Sequence, residues 1–189
     1  SLHTKIVLWI TSILLALGTI IILALEFTNM KTLGALPLPD KILASFFQST
    51  TLRTAGFATV DIGALHVSTK LIMSMFMFIG GSPAGTAGGI KTVTFVMMLL
   101  YVHALVQGSD RIKIMKRSIS DQVVKRALTI AMVSFFICVT GLFVLAISEK
   151  LNFIDLVFEV FSAFATVGLT AGGTPMLTSV GKVVIIILM

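Results

Sequence analysis

Residues 6–25 and 127–148 form runs of twenty and twenty-two residues without a charged side chain. A helix needs about twenty such residues to cross the hydrocarbon core of a bilayer, so both runs predict spans. His3 and Lys5 precede the first run as in a signal peptide, but the run is too long and no small-residue cleavage site follows it. A third apolar stretch, 71–106, is interrupted over 80–89 by glycines and a proline, and a fourth begins at 182–189. Two shorter apolar segments, 40–52 and 152–164, have thirteen residues each and open on Asp40 and Asn152, close to a helix N-cap. Thirteen helical residues reach about 20 Å, against a core about 30 Å thick. They predict helices that enter the membrane and turn back. An amphipathic helix on the membrane surface is the other reading of that length. The repetition, and a Thr-x-Gly turn after each segment, favour re-entry.

The repetition is visible by self-comparison. A shift of 112 residues takes Phe46 to Phe158, Thr54 to Thr166, Gly56 to Gly168, Leu65 to Leu177 and Lys70 to Lys182 without a gap. Each block follows a charge-free span and precedes another apolar run. The predicted unit is span, short helix, glycine-containing turn, span, and it occurs twice.

Composition agrees with this reading. Only 12% of the residues are charged and the mean hydropathy is +1.08, where a soluble domain carries about twice that charged fraction. The net charge of +6 does not point to nucleic acid, because the positive residues are placed for a membrane. Arg111, Lys113, Lys116, Arg117, Lys125 and Arg126 crowd the connector 107–126, against Asp110 and Asp121. Short loops rich in Lys and Arg stay cytoplasmic, so both short helices are expected to dip in from the outside. Cys138 is alone within a span and forms no disulfide framework.

A re-entrant helix followed by an extended turn is suited to a cation. The helix C-terminus carries about half a negative charge, and turn carbonyls can replace the ion's water shell. Within that frame the chain resembles the Trk/Ktr/HKT superfamily of cation transporters, and most of all its Ktr-type membrane subunits. The resemblance is carried by "RTAGF" at 53–57, "ATVGL" at 165–169 and "GGSPAGTAGGIKT" at 80–92. It implies an all-α membrane protein of tandem span–pore helix–span repeats of potassium-channel type, with a broken second span. Residues 1–106 would be the third repeat, with spans 6–25 and 71–106, pore helix 40–52 and intramembrane loop 80–89. The basic connector 107–126 would be cytoplasmic. Residues 127–189 would be a fourth, truncated repeat, with span 127–148, pore helix 152–164 and the start of the last span at 182–189.

The resemblance also implies site residues. Thr54, Ala55, Gly56 and Phe57, with Thr166, Val167, Gly168 and Leu169, would form two of four selectivity-filter turns. Gly80, Gly81, Ser82, Pro83, Ala84, Gly85, Thr86, Ala87, Gly88, Gly89 and Lys91 would form a gate loop below them. It further implies potassium as the transported ion, sodium as a coupling or activating ion, a homodimer in the cell membrane, and a cytoplasmic nucleotide-binding ring as regulatory partner. An enzyme would need clustered intramembrane acids, His or Cys, and the sequence has none. The competing readings are a two-pore-repeat channel acting as a dimer and a sodium-conducting member of the same superfamily.

The residues around 80–89 agree with a gate. Ten helical residues after Lys70 cover about 15 Å, which puts the break near the midplane, where freed backbone groups need protein or water. Five glycines and a proline exceed what a kink requires. "GGIKT" is not a phosphate loop, because Ile90 separates glycine from lysine and apolar segments flank it. Lys91 lies too deep to snorkel and is expected to face the aqueous path or a carboxylate. Glu159 either holds its helix by hydrogen bonds or faces the outer vestibule, Asp61 either attracts cations at the mouth or is a solvated loop acid, Lys70 and Lys182 anchor helix ends, and His66 and His103 are interfacial.

Overall fold

The computed structural model describes residues 2–82, 87–107, 113–114, 117–118 and 121–189. Helix α1 (Leu2–Glu26) is followed by α2 (Leu38–Thr51), α3 (Val67–Phe78) and α4 (Thr92–Val106). In the connector a two-residue antiparallel ladder pairs β1 (Lys113–Ile114) with β2 (Arg117–Ser118). Then come α5 (Asp121–Ser148), α6 (Phe153–Phe164), a 3-10 turn (Thr174–Met176) and α7 (Ser179–Leu188). The architecture is helical, as the apolar periodicity predicts.

Several helices begin before their charge-free cores do. Helix α2 starts at Leu38 rather than Asp40, because Pro37 and Pro39 already set helical or cap geometry there. Helix α5 starts at Asp121 rather than 127, since Gln122, Lys125 and Arg126 are good helix formers that extend the span into the connector. Helix α3 starts at Val67, which puts Lys70 inside its first turns rather than at a helix end.

Large apolar side chains cover much of the outside, and several polar ones are buried beside the apolar core. Trp9, Ile20, Phe136, Phe143 and Ile147 are exposed, whereas Glu26, Ser45, Thr51, Thr69, Ser74, Thr92 and Glu159 are buried. Among the described residues, two helices are long and apolar enough to cross a bilayer, Val7–Glu26 and Gln122–Ser148. Helices α3 and α4 are two half-length pieces of 12 and 15 residues on either side of the break.

Each short helix leans on the long helix before it. Ser49 of α2 donates to the Leu15 carbonyl of α1 at 2.9 Å, and α6 packs against α5 through Leu145, Leu156 and Val160, with Cys138 buried in the same cluster. The halves join where α3 meets α6: Met73 and Met77 bury against Phe158, Ala165, Val167 and Leu169. An ion pair reinforces this joint. Lys70 Nζ lies 2.7 Å from Asp155 Oδ1, with side chains 7% and 16% exposed. Lys70 is therefore an inter-repeat tie and not an interfacial anchor, because the helix begins four residues earlier than the hydropathy suggests. Lys182, its repeat counterpart, is exposed.

One carboxylate caps the third helix of each half, α3 and α7. Glu26, wholly buried at the end of α1, accepts from the His66 N–H at 2.9 Å and from the Thr69 hydroxyl, both at the start of α3. Asn29 Nδ2 and the Thr32 hydroxyl also donate to it, at 2.6 and 2.7 Å. Glu149, just after α5, accepts from the Thr178 N–H at 3.1 Å and from its hydroxyl, at the start of α7. His66 and Thr178 are related by the same 112-residue shift. The Thr178 bonds hold the Glu149 carboxyl below the usual carboxylate range.

Replacing Lys70 with Met leaves Asp155 without its cation, and the complete protein should lose about 3 kcal/mol of stability in detergent. The double variant Lys70→Met, Asp155→Leu should recover most of that loss in thermal unfolding. For Glu149, the folded pKa is lowered, so its stabilising contribution is present above pH ~4.5 and disappears as pH falls through the folded value. Glu149→Gln should thus show a flatter melting temperature between pH 6 and 3 than the parent protein, measured by scanning fluorimetry.

Candidate functional site

The turns that follow α2 and α6 share an unusual backbone. Among the described residues, the non-glycine residues with positive φ are Thr54 (71°) and Thr166 (53°), and two residues later come Gly56 (76°) and Gly168 (85°). In an ordinary strand, successive carbonyls point to opposite sides. Alternating left-handed with right-handed residues turns every second peptide over, so successive amides gather on one face and carbonyls on the other. The amide side is tied back to the preceding helix. Ala55 N–H donates to Thr51 O at 3.1 Å and Phe57 N–H to the Thr51 hydroxyl at 2.9 Å, while Thr166 and Val167 donate to Ala163 and Ser162 carbonyls, each at 2.9 Å. Among the described residues, no hydrogen bond ends on the carbonyls of Thr54, Ala55, Gly56, Thr166, Val167 or Gly168. The turns thus present acceptors, next to helix C-termini that favour a cation.

The two turns adjoin one another. A Cβ built at Gly56 would stand 2.5 Å from the Val167 carbonyl oxygen and 3.8 Å from Gly168 Cα. Only glycine supplies both that approach and the positive φ. The second turn is braced more firmly than the first. Ala165, Val167 and Leu169 are buried while Thr166 and Gly168 are exposed, and the Ser162 hydroxyl donates to the Leu169 carbonyl at 2.6 Å. Glu159, buried on α6, accepts from Thr170 and Thr174 hydroxyls at 2.5 and 2.6 Å and from Ala171 and Gly173 N–H groups at 3.1 and 3.2 Å. Of the two roles open to it from sequence, the structure gives Glu159 the bracing one.

Between α3 and α4 the chain makes an excursion whose two described limbs, 79–82 and 87–92, close on each other as a neck. Ile90 N–H donates to Phe78 O at 3.0 Å and Thr92 N–H to Gly81 O at 3.3 Å, and Ile79 bridges Ile90 in parallel. The limbs meet at Gly80 and Gly88, which leave no room for a Cβ between them, and Gly89 has φ +69°. Gly88 touches the second turn: its N–H donates to the Thr166 hydroxyl at 2.9 Å.

The structure therefore brings together Gly56, Val167 and Gly168, and separately Gly88, Ala165 and Thr166. Gly81 and Gly89 lie in the neck with Ser82 and Ala87 next to it, whereas Pro83, Ala84, Gly85 and Thr86 lie outside the described residues. Phe57 is 70% exposed. Lys91 is half-buried at the N-cap of α4 and its Nζ donates to the Ala87 carbonyl, four residues back. Asp61 accepts from Gly63 N–H at 2.9 Å in an exposed loop. Glu26, Glu149 and Asp155 escape a reading by repeat. The shift that relates His66 to Thr178 takes Glu26 to Cys138, because the segments joining the long and short helices differ in length. Arg53 is also missed as a contact residue. Its guanidinium reaches the Gly80 carbonyl at 3.5 Å, and Ala165 occupies the matching place in the second half.

These features agree with comparisons to known proteins. The family model described as TrkH, cation transport protein, matches residues 1–189. The chain is 44% identical over 189 residues to the Ktr system potassium uptake protein B of Bacillus subtilis, covering 100% of this chain and 42% of the relative. It is 43% identical over 195 residues to the potassium/sodium uptake protein NtpJ of Enterococcus hirae, covering 100% of this chain and 43% of that one. The crystal structure of the potassium transporter TrkH from Vibrio parahaemolyticus superposes with a TM-score of 0.70 at 19% identity, over 99% of this chain and 41% of that chain, and so supports the fold. The chain thus spans about two fifths of the length of the curated relatives it matches. With a family model matched from end to end and the same fold in a solved relative, the chain belongs to the TrkH family of membrane cation transport proteins.

Proposed function

We propose that the complete protein conducts potassium passively across the cell membrane and that this chain supplies two of its filter turns and its gate. The observation that carries this reading is the pair of adjoining turns with the same left-handed positions, Thr54 and Gly56, Thr166 and Gly168. Carbonyls that no donor among the described residues occupies are the ligands that a dehydrated cation needs. A cation enclosed on all sides needs more carbonyls than two turns hold, and the relatives are more than twice as long as this chain. Two further repeats from the rest of the protein would complete the ring.

The relatives' names favour potassium, and one includes sodium. Potassium is therefore the proposed cargo, with sodium as a coupling or activating ion. By the positive-inside tendency, the connector 107–126 faces the cytoplasm. There it would meet a nucleotide-binding regulatory ring, on which the protein would sit as a homodimer, surrounded by membrane lipids. Gly88, in the neck of the excursion, lies against the second turn, which favours a role for this segment as the gate on the path that the filter selects.

Gly56→Ser and Gly168→Ser, each in the complete protein, should lower the preference for potassium over sodium by roughly tenfold, the equivalent of the strain of a left-handed side chain. Gly56→Ser should be the worse of the two, because its Cβ also meets the Val167 carbonyl, whereas Gly168 has room. Competitive uptake in potassium-uptake-deficient cells measures this, and unchanged preference in both variants would remove the turns from the filter. Shortening residues 81–88 should raise potassium flux into liposomes with the ion preference retained. A shortened protein that folds normally yet conducts no faster would make the excursion a packing feature.

A further inference from the structure

The neck of the excursion is tied to both turns. Gly88 N–H donates to Thr166 Oγ1 at 2.9 Å on the second turn, and Arg53, at the start of the first, reaches the Gly80 carbonyl at 3.5 Å. Gly80 and Gly88 stand against each other, so the two ties act on one compact piece of backbone. The contact at Gly88 is tight. A Cβ there would lie 2.7 Å from the carbonyl carbon and oxygen of Ala165 and from the Thr166 hydroxyl. The φ of Gly88 is not in the left-handed region, so its smallness serves the approach to the turn and not a backbone conformation.

We propose that this contact is a latch, in which Gly88 and a permeating cation compete for the Thr166 hydroxyl, with Arg53 as the positioning residue that holds the other limb. The proposal rests on the transport reading given above. A hydroxyl oxygen accepts through two lone pairs. When Gly88 N–H occupies one, its electropositive hydrogen faces the space a cation must enter to use that oxygen. The two donors of positive charge repel each other, so a cation at this end of the turn weakens the tie and frees the neck. In the absence of a cation the tie reforms and the excursion rests against the turn. The same hydroxyl then reports filter occupancy to the gate, without any element moving between them. The Thr166 side chain is placed for this by its own left-handed backbone, φ 53°. That conformation turns it away from the buried side occupied by Ala165 and Val167.

A single hydrogen bond of ordinary net strength shifts a two-state balance by roughly three- to tenfold. Gly88→Ala in the complete protein, reconstituted in liposomes, should raise potassium flux by about that factor with potassium-over-sodium preference unchanged. Unchanged flux, or a fall in flux together with lost preference, would overturn the latch. The first would show that the contact holds nothing, and the second that it merely supports the filter. If Gly88→Ala does not fold, Thr166→Ser and Thr166→Val decide through hydrogen exchange of the peptide containing residues 87–92. The serine variant keeps the acceptor and should exchange as slowly as the parent protein, whereas the valine variant should exchange about three- to tenfold faster. In the parent protein, exchange of that peptide should quicken when potassium replaces choline. Equal exchange in the valine and serine variants, or no response to potassium, would overturn the proposal. Absence of any cation flux in the parent protein would instead overturn the transport reading.

Discussion

Backbone that leaves a helix inside a bilayer has no water to pair with, so every such departure must be matched by a specific internal partner. Most of this fold follows from three such departures. At the starts of α3 and α7 the partners are carboxylates, Glu26 and Glu149, which accept the N–H groups a helix start leaves unpaired. In the turns after α2 and α6 the N–H groups return to the preceding helix, which leaves the carbonyls for another ligand. In the break between α3 and α4 the two limbs pair with each other across the neck, through Phe78 with Ile90 and Gly81 with Thr92. The first solution builds the scaffold, the second the site, and the third an element beside the site.

The two halves meet these demands with different residues. His66 and Thr178 are counterparts and both receive a carboxylate, yet Glu26 and Glu149 are not counterparts. The two halves thus share the interaction and not its position. Elsewhere the halves diverge outright. Glu159 holds Thr170, Ala171, Gly173 and Thr174 behind the second turn, while its counterpart in α2 is Phe47, which has no polar atom for such a role. Arg53 stands where the second half has Ala165. The first turn consequently touches the excursion through a charged side chain and the second through a hydroxyl. Near-symmetry sets two similar turns side by side, and the departures from it make one turn differ from the other.

The buried polar side chains belong to the same account. Ser45 and Thr51 of α2, Thr69 and Ser74 of α3 and Thr92 of α4 are buried, while α1 exposes Trp9 and α5 exposes Phe136, Phe143 and Ile147. Hydroxyls that bond back to the preceding turn, as Ser45 does to Lys41 and Ser74 to Lys70 at 2.7 and 2.9 Å, are satisfied without solvent. They also allow close helix packing, as do Gly18 beside Ser49 and Gly141 beside Leu188. The Lys70–Asp155 pair then joins one half to the other where apolar contact alone lacks direction.

The sequence alone determined the helical class, the two long apolar helices, the short helices and the Thr-x-Gly turns, because each rests on local rules: hydropathy over a length, rise per residue, and the residues that tolerate a given φ. The same local information located the broken helix, whose glycines and proline cannot propagate one. Partnership across the chain was decided only by tertiary structure. That Glu26 reaches α3, that Lys70 finds Asp155, and that Gly88 settles on Thr166 depend on how helices far apart in sequence come to lie together. No periodicity encodes such distances. The repeat even misdirects, since equal shifts relate the receivers of the carboxylates and not the carboxylates themselves. Helix starts were misplaced by a few residues for a related reason: a helix continues as long as its backbone groups are paired, whereas hydropathy sees only where the charges begin.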